Sequence, residues 1–114
     1  MKECISCNHE RIRVKLQNSN DYLEKVNLAS NLFSLLGDPS RMKIVLALME
    51  GELCVYHICE VTGAKQSATS QHLKKLKDAN VVKARKESNQ MLYSIADDHV
   101  TTILKTVIEH MKCK

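Results

Sequence analysis

Val55-Tyr56-His57-Ile58-Cys59-Glu60-Val61-Thr62-Gly63-Ala64-Lys65-Gln66-Ser67-Ala68-Thr69-Ser70-Gln71-His72-Leu73-Lys74-Lys75-Leu76 is the stretch on which the fold turns. Gly63 divides it. Before the glycine, a short helix is predicted from Val55 to Thr62, because glycine is the usual residue just past a helix end. After Ala64-Lys65, a second helix is predicted from Gln66 to about Ala79, with Ala68, Thr69, Leu73 and Leu76 turned inward. Two helices joined by a tight glycine-containing turn form a helix-turn-helix. The residues that follow change period from helical to alternating. Val82, Ala84, Met91, Tyr93 and Ile95 predict two strands, Val81 to Lys86 and Gln90 to Ile95, joined by a turn at Glu87-Ser88-Asn89. A hairpin placed directly after a helix-turn-helix is a wing.

Working outward, Leu23, Val26, Leu32, Phe33 and Leu36 recur at three- and four-residue steps and predict a helix from about Asp21 to Leu36, stopped by Gly37. Asp38 can cap and Pro39 is pre-set for the first helical position, so a further helix is expected from Pro39 to Glu50, with Ile44, Val45 and Leu48 facing inward. Residues 1–20 are polar and read as an N-terminal arm, partly helical from Ile12 to Leu16. Residues 21–114 read as one DNA-binding and dimerisation domain. A last helix starts near Asp97 or Asp98 and runs to the end. Its residues Val100, Ile103, Leu104, Val107, Ile108 and Met111 form an apolar stripe that needs a partner surface. The expected fold is mainly α with a small β-hairpin: a winged helix-turn-helix that dimerises through its terminal helices.

Composition narrows the function. The chain has 114 residues, 44% hydrophobic and 26% charged, as in an ordinary globular protein of one domain. No apolar run approaches the ~20 residues that cross a bilayer, and Met1-Lys2-Glu3-Cys4 lacks the apolar stretch of a signal peptide, so a cytoplasmic protein without a membrane partner is expected. One Phe, three Tyr and no Trp argue against a platform for stacking single-stranded bases. The net charge of +4 is small, but Lys74, Lys75, Lys77, Lys83, Arg85 and Lys86 are clustered. A charge run alone is more often a solvated helix face. Here it adjoins Gln66, Ser67, Ser70 and Gln71, small polar groups on the first turns of the second helix of the motif, which suit base edges and phosphates in a major groove. Lys74, Lys75, Lys83, Arg85 and Lys86 are then placed for phosphates, which supply affinity that falls with salt. The expected partner is double-stranded operator DNA, with no small organic substrate.

The last helix carries a second chemistry. Asp97, His99, His110 and Cys113 are all zinc-ligand types. His99 and His110 differ by about 20° in phase, yet lie about 16 Å apart along one helix axis. One helix therefore cannot close them around an ion whose bonds are about 2 Å long. An antiparallel copy can: a twofold axis near Leu104 puts Asp97 and His99 of one chain beside His110 and Cys113 of the other, giving two equivalent sites per homodimer. The plainer alternative is a capping Asp and surface histidines on a dimer helix. The five cysteines, an odd number, argue against a disulfide framework.

Leu36-Gly37-Asp38-Pro39-Ser40-Arg41, Glu52-Leu53-Cys54-Val55, Gln66-Ser67-Ala68-Thr69-Ser70, and Asp97-x-His99 with His110-x-x-Cys113 together resemble the ArsR/SmtB family of metal-responsive winged helix-turn-helix repressors, over roughly residues 25–113. The last pair of motifs resembles the C-terminal-helix zinc site of its zinc-sensing branch, the SmtB and CzrA types. Cys113 stands where that branch usually has Glu or His, and a softer thiolate also suits cadmium. Lys65 stands where the family often has Ser. The resemblance implies repression relieved by metal, and control of genes for metal efflux or sequestration. It also suggests a second metal or thiol site. Cys54 and Cys59 match two positions of the arsenite type, with Tyr56 replacing the middle thiol, and Cys4 and Cys7 are similar to the N-terminal thiols of cadmium sensors. Against that, Cys59 also reads as a core filler, and Cys4 with Cys7 as a redox pair in a disordered arm. His9, His57 and His72 read as surface residues, the last within reach of DNA.

Three rival functions follow. One is a thiol-based sensor of cadmium, lead, arsenite or oxidation built on Cys4, Cys7, Cys54 and Cys59. Another is a small zinc enzyme, disfavoured because four protein ligands leave no vacancy for water and no general base stands beside them. The third is a dimeric adaptor that binds no DNA.

Overall fold

The computed structural model describes residues 6–113. They fall into two compact units, divided between Phe33 and Ser34. In the first, α1 spans His9–Gln17 and α2 begins at Asn20 on its way to Leu36. The Ser19 hydroxyl accepts from the Tyr22 amide at 3.1 Å, closing the first turn of α2. The arm is thus more helical than Ile12 to Leu16. Ile12, Val14, Tyr22, Leu23, Val26, Leu28 and Phe33 all remain exposed.

The second unit is built from α3 (Pro39–Leu48), β1 (Leu53–Cys54), α4 (Val55–Thr62), α5 (Gln66–Asp78), β2 (Val82–Glu87), β3 (Gln90–Ile95) and α6 (Asp98–Lys112). Asp38 caps α3 by accepting from the Ser40 amide at 2.8 Å, with Pro39 at the first helical position. Gly63 ends α4 with φ +77°, a left-handed conformation in which any Cβ is strained. It sets the angle at which α5 leaves α4. Ile44, Val45, Ile58, Leu73, Leu76, Val81 and Val82 are almost completely buried where α3, α4, α5 and the sheet meet. Each such side chain contributes about 1.5–3 kcal/mol by leaving water.

Three expectations are corrected. Ala68 is exposed, not inward. The buried face of α5 is Thr69, Leu73 and Leu76, and Ala68 lies about 100° of helical rotation from Thr69. The hairpin is also part of a three-stranded antiparallel sheet of order β1-β3-β2, in which Leu53 pairs with Tyr93 and Cys54 with Leu92. β1 has two residues, too few to show alternation. In the wing itself Val82 pairs with Ile95 and Glu87 with Gln90, so Glu87 belongs to the strand and the turn is Ser88-Asn89, with Ser88 at φ +56°.

The capping carboxylate of Asp38 makes a pH prediction. The Ser40 amide, helped by Arg41 and His72, holds its pKa below the usual 3.8. A carboxyl with a depressed folded-state pKa stabilises the fold above its unfolded value and loses that effect as pH falls through the folded one. Asp38→Ala is expected to lower the thermal midpoint at neutral pH, and the gap to the unaltered chain should close below pH 4. A gap that persists at pH 2 would refute the assignment.

Candidate nucleic-acid interface and candidate metal ligands

The outer face of α5 is set by the phase of its buried one. With Thr69, Leu73 and Leu76 inward, Gln66, Ser67, Ser70, Gln71, Lys74 and Lys75 are all exposed on the same helix. Lys65, the residue before it, makes no side-chain cap, so the first amides of α5 keep their partial positive charge for a ligand. On the wing, Lys83, Arg85 and Lys86 are exposed as well. Lys74, Lys75, Lys83 and Lys86 belong to no ion pair among the described residues. Arg85 differs. Its Nε and Nη2 donate to the two carboxylate oxygens of Glu52 at 2.9 and 2.7 Å, and its Nη1 pairs with Glu87 at 2.7 Å. The bidentate bond holds Glu52 below the ordinary carboxylate range and raises the Arg85 pKa further. Arg85 ties the start of β1 to the wing, and its charge is already matched by two carboxylates. Glu52 lies 33 residues away in sequence, so this pairing had no local signal.

Two residues beyond β3, Asp97 caps α6. Its Oδ1 accepts from the amides of His99 at 3.0 Å and Val100 at 3.3 Å, and lies 3.5 Å from His99 Nδ1. Asp97 Oδ2 has no hydrogen-bond partner among the described residues. His110 occupies the last turn, and Cys113 is the C-cap, its amide donating to the Glu109 carbonyl at 3.0 Å. All four candidate ligands are exposed. The structure brings Asp97 to His99 and leaves His110 and Cys113 at the other end of a 15-residue helix. Among the described residues of one chain, no group of three His, Cys, Asp or Glu side chains could hold a metal. As a donor set, one carboxylate, two imidazoles and a thiolate suit zinc, but a single copy cannot assemble them. Along α6, Val100 and Leu104 are buried, whereas Val107, Ile108 and Met111 are 44%, 37% and 75% exposed. The apolar stripe is therefore half used within the chain.

The remaining thiols are distributed differently. Cys54 is buried at the N-cap of α4, with its Sγ 3.3 Å from His57 Nδ1, and the Tyr56 ring meets the His57 ring edge-on. Cys59 is half-buried within α4. Cys7 is exposed in the first unit. Cys4 lies outside the described residues. His57 was not among the candidate ligands, since nothing in the sequence distinguishes it from a surface histidine.

Comparison with known proteins agrees with this architecture. Residues 38–84 match the family described as bacterial regulatory protein, arsR family. An HTH-type transcriptional regulator of Methanocaldococcus jannaschii is 42% identical over 88 residues, covering 76% of this chain and 99% of that protein. A transcriptional repressor SmtB homolog of Synechocystis is 33% identical over 90 residues, covering 79% and 68%. Among solved structures, NolR from Sinorhizobium fredii superposes with a TM-score of 0.75 at 33% identity, over 80% of this chain and 91% of that one. Among the described residues, no helix is long and apolar enough to cross a membrane. The chain belongs to the ArsR family, as a winged helix-turn-helix transcriptional regulator of the ArsR/SmtB type rather than an enzyme.

Proposed function

We propose that this protein is a homodimeric repressor that binds double-stranded operator DNA through α5 and the wing, and lets it go when zinc joins the α6 helices of its two copies. The observation that carries the reading is α6 itself: two ligand pairs at opposite ends of one helix, flanking an apolar stripe whose second half is bare. An antiparallel second copy would cover Val107, Ile108 and Met111 and set Asp97 and His99 beside the other copy's His110 and Cys113. Within the first unit, Tyr22, Leu23, Val26, Leu28 and Phe33 on α2 are a separate exposed apolar surface. Zinc supplies tetrahedral bonds that fix the relative placement of the two helices. Asp97 then has two tasks. Oδ1 holds the first amides of α6, and Oδ2 is left for metal, so the ligand is positioned by the helix it caps. Metal and DNA oppose each other through one coupling free energy, which is necessarily reciprocal.

On DNA, Ser67, Gln71 and Lys74 occupy the centre of the outward face of α5, with Gln66, Ser70 and Lys75 at its margins. Lys83 and Lys86 are the wing cations best placed for phosphates. Arg85 would have to share its charge with Glu52 and Glu87, so its contribution is to orient the wing.

A thiol-based reading is favoured by one observation, the Cys54–His57 contact. Two ligands of a tetrahedral ion with bonds of about 2.3 and 2.0 Å sit roughly 3.5 Å apart, close to the 3.3 Å found. The pair lacks a third donor among the described residues, which is why α6 is preferred. Cadmium, with the same donor preferences, could use either place.

The DNA half of the reading is tested by contrasting two substitutions against the chain's own promoter region and a random duplex. Gln71→Ala is expected to weaken promoter binding by roughly 1–3 kcal/mol while sparing the random duplex. Lys74→Ala should weaken both alike and reduce the salt slope by about one. Equal behaviour of the two variants would refute the assignment.

A further inference from the structure

Arg41 and His72 lie 31 residues apart and meet between α3 and α5. Arg41 Nε donates to His72 Nδ1 at 3.3 Å, and Arg41 Nη1 donates to the Leu35 carbonyl at 3.3 Å. Both side chains are half-buried. A guanidinium has donors only and does not give up its proton in proteins. The ring nitrogen facing it must therefore carry a lone pair, and the single proton of the neutral imidazole sits on Nε2. Asp38, the cap of α3, is close enough to Arg41 for its charge to favour the ionised carboxylate. His72 lies at the rim of α5, about 60° of rotation from buried Thr69 and 60° from exposed Lys75. Its free edge thus borders the face that carries the cations.

We propose that Arg41 is a positioning residue for DNA binding: it fixes the ring of His72 in the Nε2–H form at the rim of α5, where that N–H donates to a backbone phosphate. The proposal rests on the reading of α5 as the DNA-facing helix. It adds a neutral, directional donor to a surface otherwise furnished with flexible lysines. A lysine reaches a phosphate as a point charge on a long stem, whereas a pinned imidazole offers one hydrogen bond in one direction. It also links α5 to the cap of α3, so the register of the helix on the duplex depends on α3.

Two isosteric substitutions separate the two ring nitrogens. His72→Asn keeps an acceptor near the Nδ1 position and loses the outer donor. His72→Gln keeps a donor near the Nε2 position and loses the acceptor for Arg41. His72→Asn is expected to weaken binding to the promoter region and to a random duplex by about tenfold each, the scale of a hydrogen bond to a charged group. Its salt slope should be unchanged, because no charge is lost. His72→Gln, which keeps the donor but loses the Arg41 contact that aims it, should be weakened by about threefold, clearly less than His72→Asn. In parallel, the ¹⁵N NMR spectrum of the full chain at pH 8 should show His72 protonated on Nε2 alone. Arg41→Met should let the Nδ1–H form appear. Undiminished DNA binding by His72→Asn, or an equal loss in His72→Gln, would overturn the phosphate contact. A tautomer ratio indifferent to Arg41→Met would overturn the positioning role. If the unaltered protein bound neither duplex, the reading of α5 and the phosphate contact would fall together, while the NMR result would still decide the Arg41–His72 pairing.

Discussion

Replacing His99 or His110 by alanine is expected to abolish the zinc response while leaving metal-free operator binding intact. In the unaltered protein, zinc should weaken operator binding by about 5- to 150-fold, the usual range for coupled sites. A near-complete switch needs ~5 kcal/mol or more between the two states. In either variant the ratio should fall to about one. Metal-free binding survives because both histidines are exposed on α6, outside α5 and the wing strands, and neither supports the core. Removing one ligand of four leaves an ion whose remaining donors no longer fix the relative placement of the helices. The control is Cys54→Ser combined with Cys59→Ser, which should respond to zinc as the unaltered chain does. The opposite pattern, with the histidine variants responsive and the thiol variant silent, would replace the α6 site by the thiol one. Gel shifts with zinc titrated into each purified variant decide between them.

Met111→Glu is expected to dissociate the dimer without unfolding the subunit. Met111 is 75% exposed in one chain, so a carboxylate there changes the lone subunit by no more than ~0.5 kcal/mol. Against the antiparallel second copy, that carboxylate would be buried without a partner, which costs several kcal/mol. Operator affinity should fall by about 10²–10⁴, since two linked heads become two independent ones. Sedimentation at micromolar concentration reads the first effect and a gel shift the second. A Met111→Glu protein that remained dimeric would mean that α6 is not the contact surface, and the shared metal site would lose its geometry.

Much of this was legible in the sequence because it depends on neighbours. Gly63 stops α4 where a left-handed residue is required, Asp38 and Pro39 start α3, and Ile44, Val45 and Leu48 recur at helical spacing. The separation of His99 from His110 follows from helix rise alone, and the structure places them at opposite ends of α6 accordingly. What was not legible depends on pairs far apart in the chain. Glu52 claims Arg85 across the sheet, and Arg41 claims His72 across two helices. β1 is too short to show a period, and its two residues are strand only because β3 offers them a ladder. Ala68 was misplaced because alanine fits either face of a helix, so only the surrounding packing fixes its side. Thr69 went the other way: it is fully buried with a hydroxyl that has no hydrogen-bond partner among the described residues, and the phase of Leu73 and Leu76 foretold it.

The most direct test of a metal shared between two α6 helices is complementation between two dead variants. In a dimer of His99→Ala chains, both sites lack a ligand, and the same holds for His110→Ala. In a mixed dimer, one site loses both histidines and the other regains all four ligands. Mixing the two variants and titrating zinc should therefore restore one tight site per mixed dimer, where each variant alone has none. If the mixture binds no more zinc than its parents, the ligands do not come from two chains, and the account of how metal reaches the DNA-binding heads is wrong.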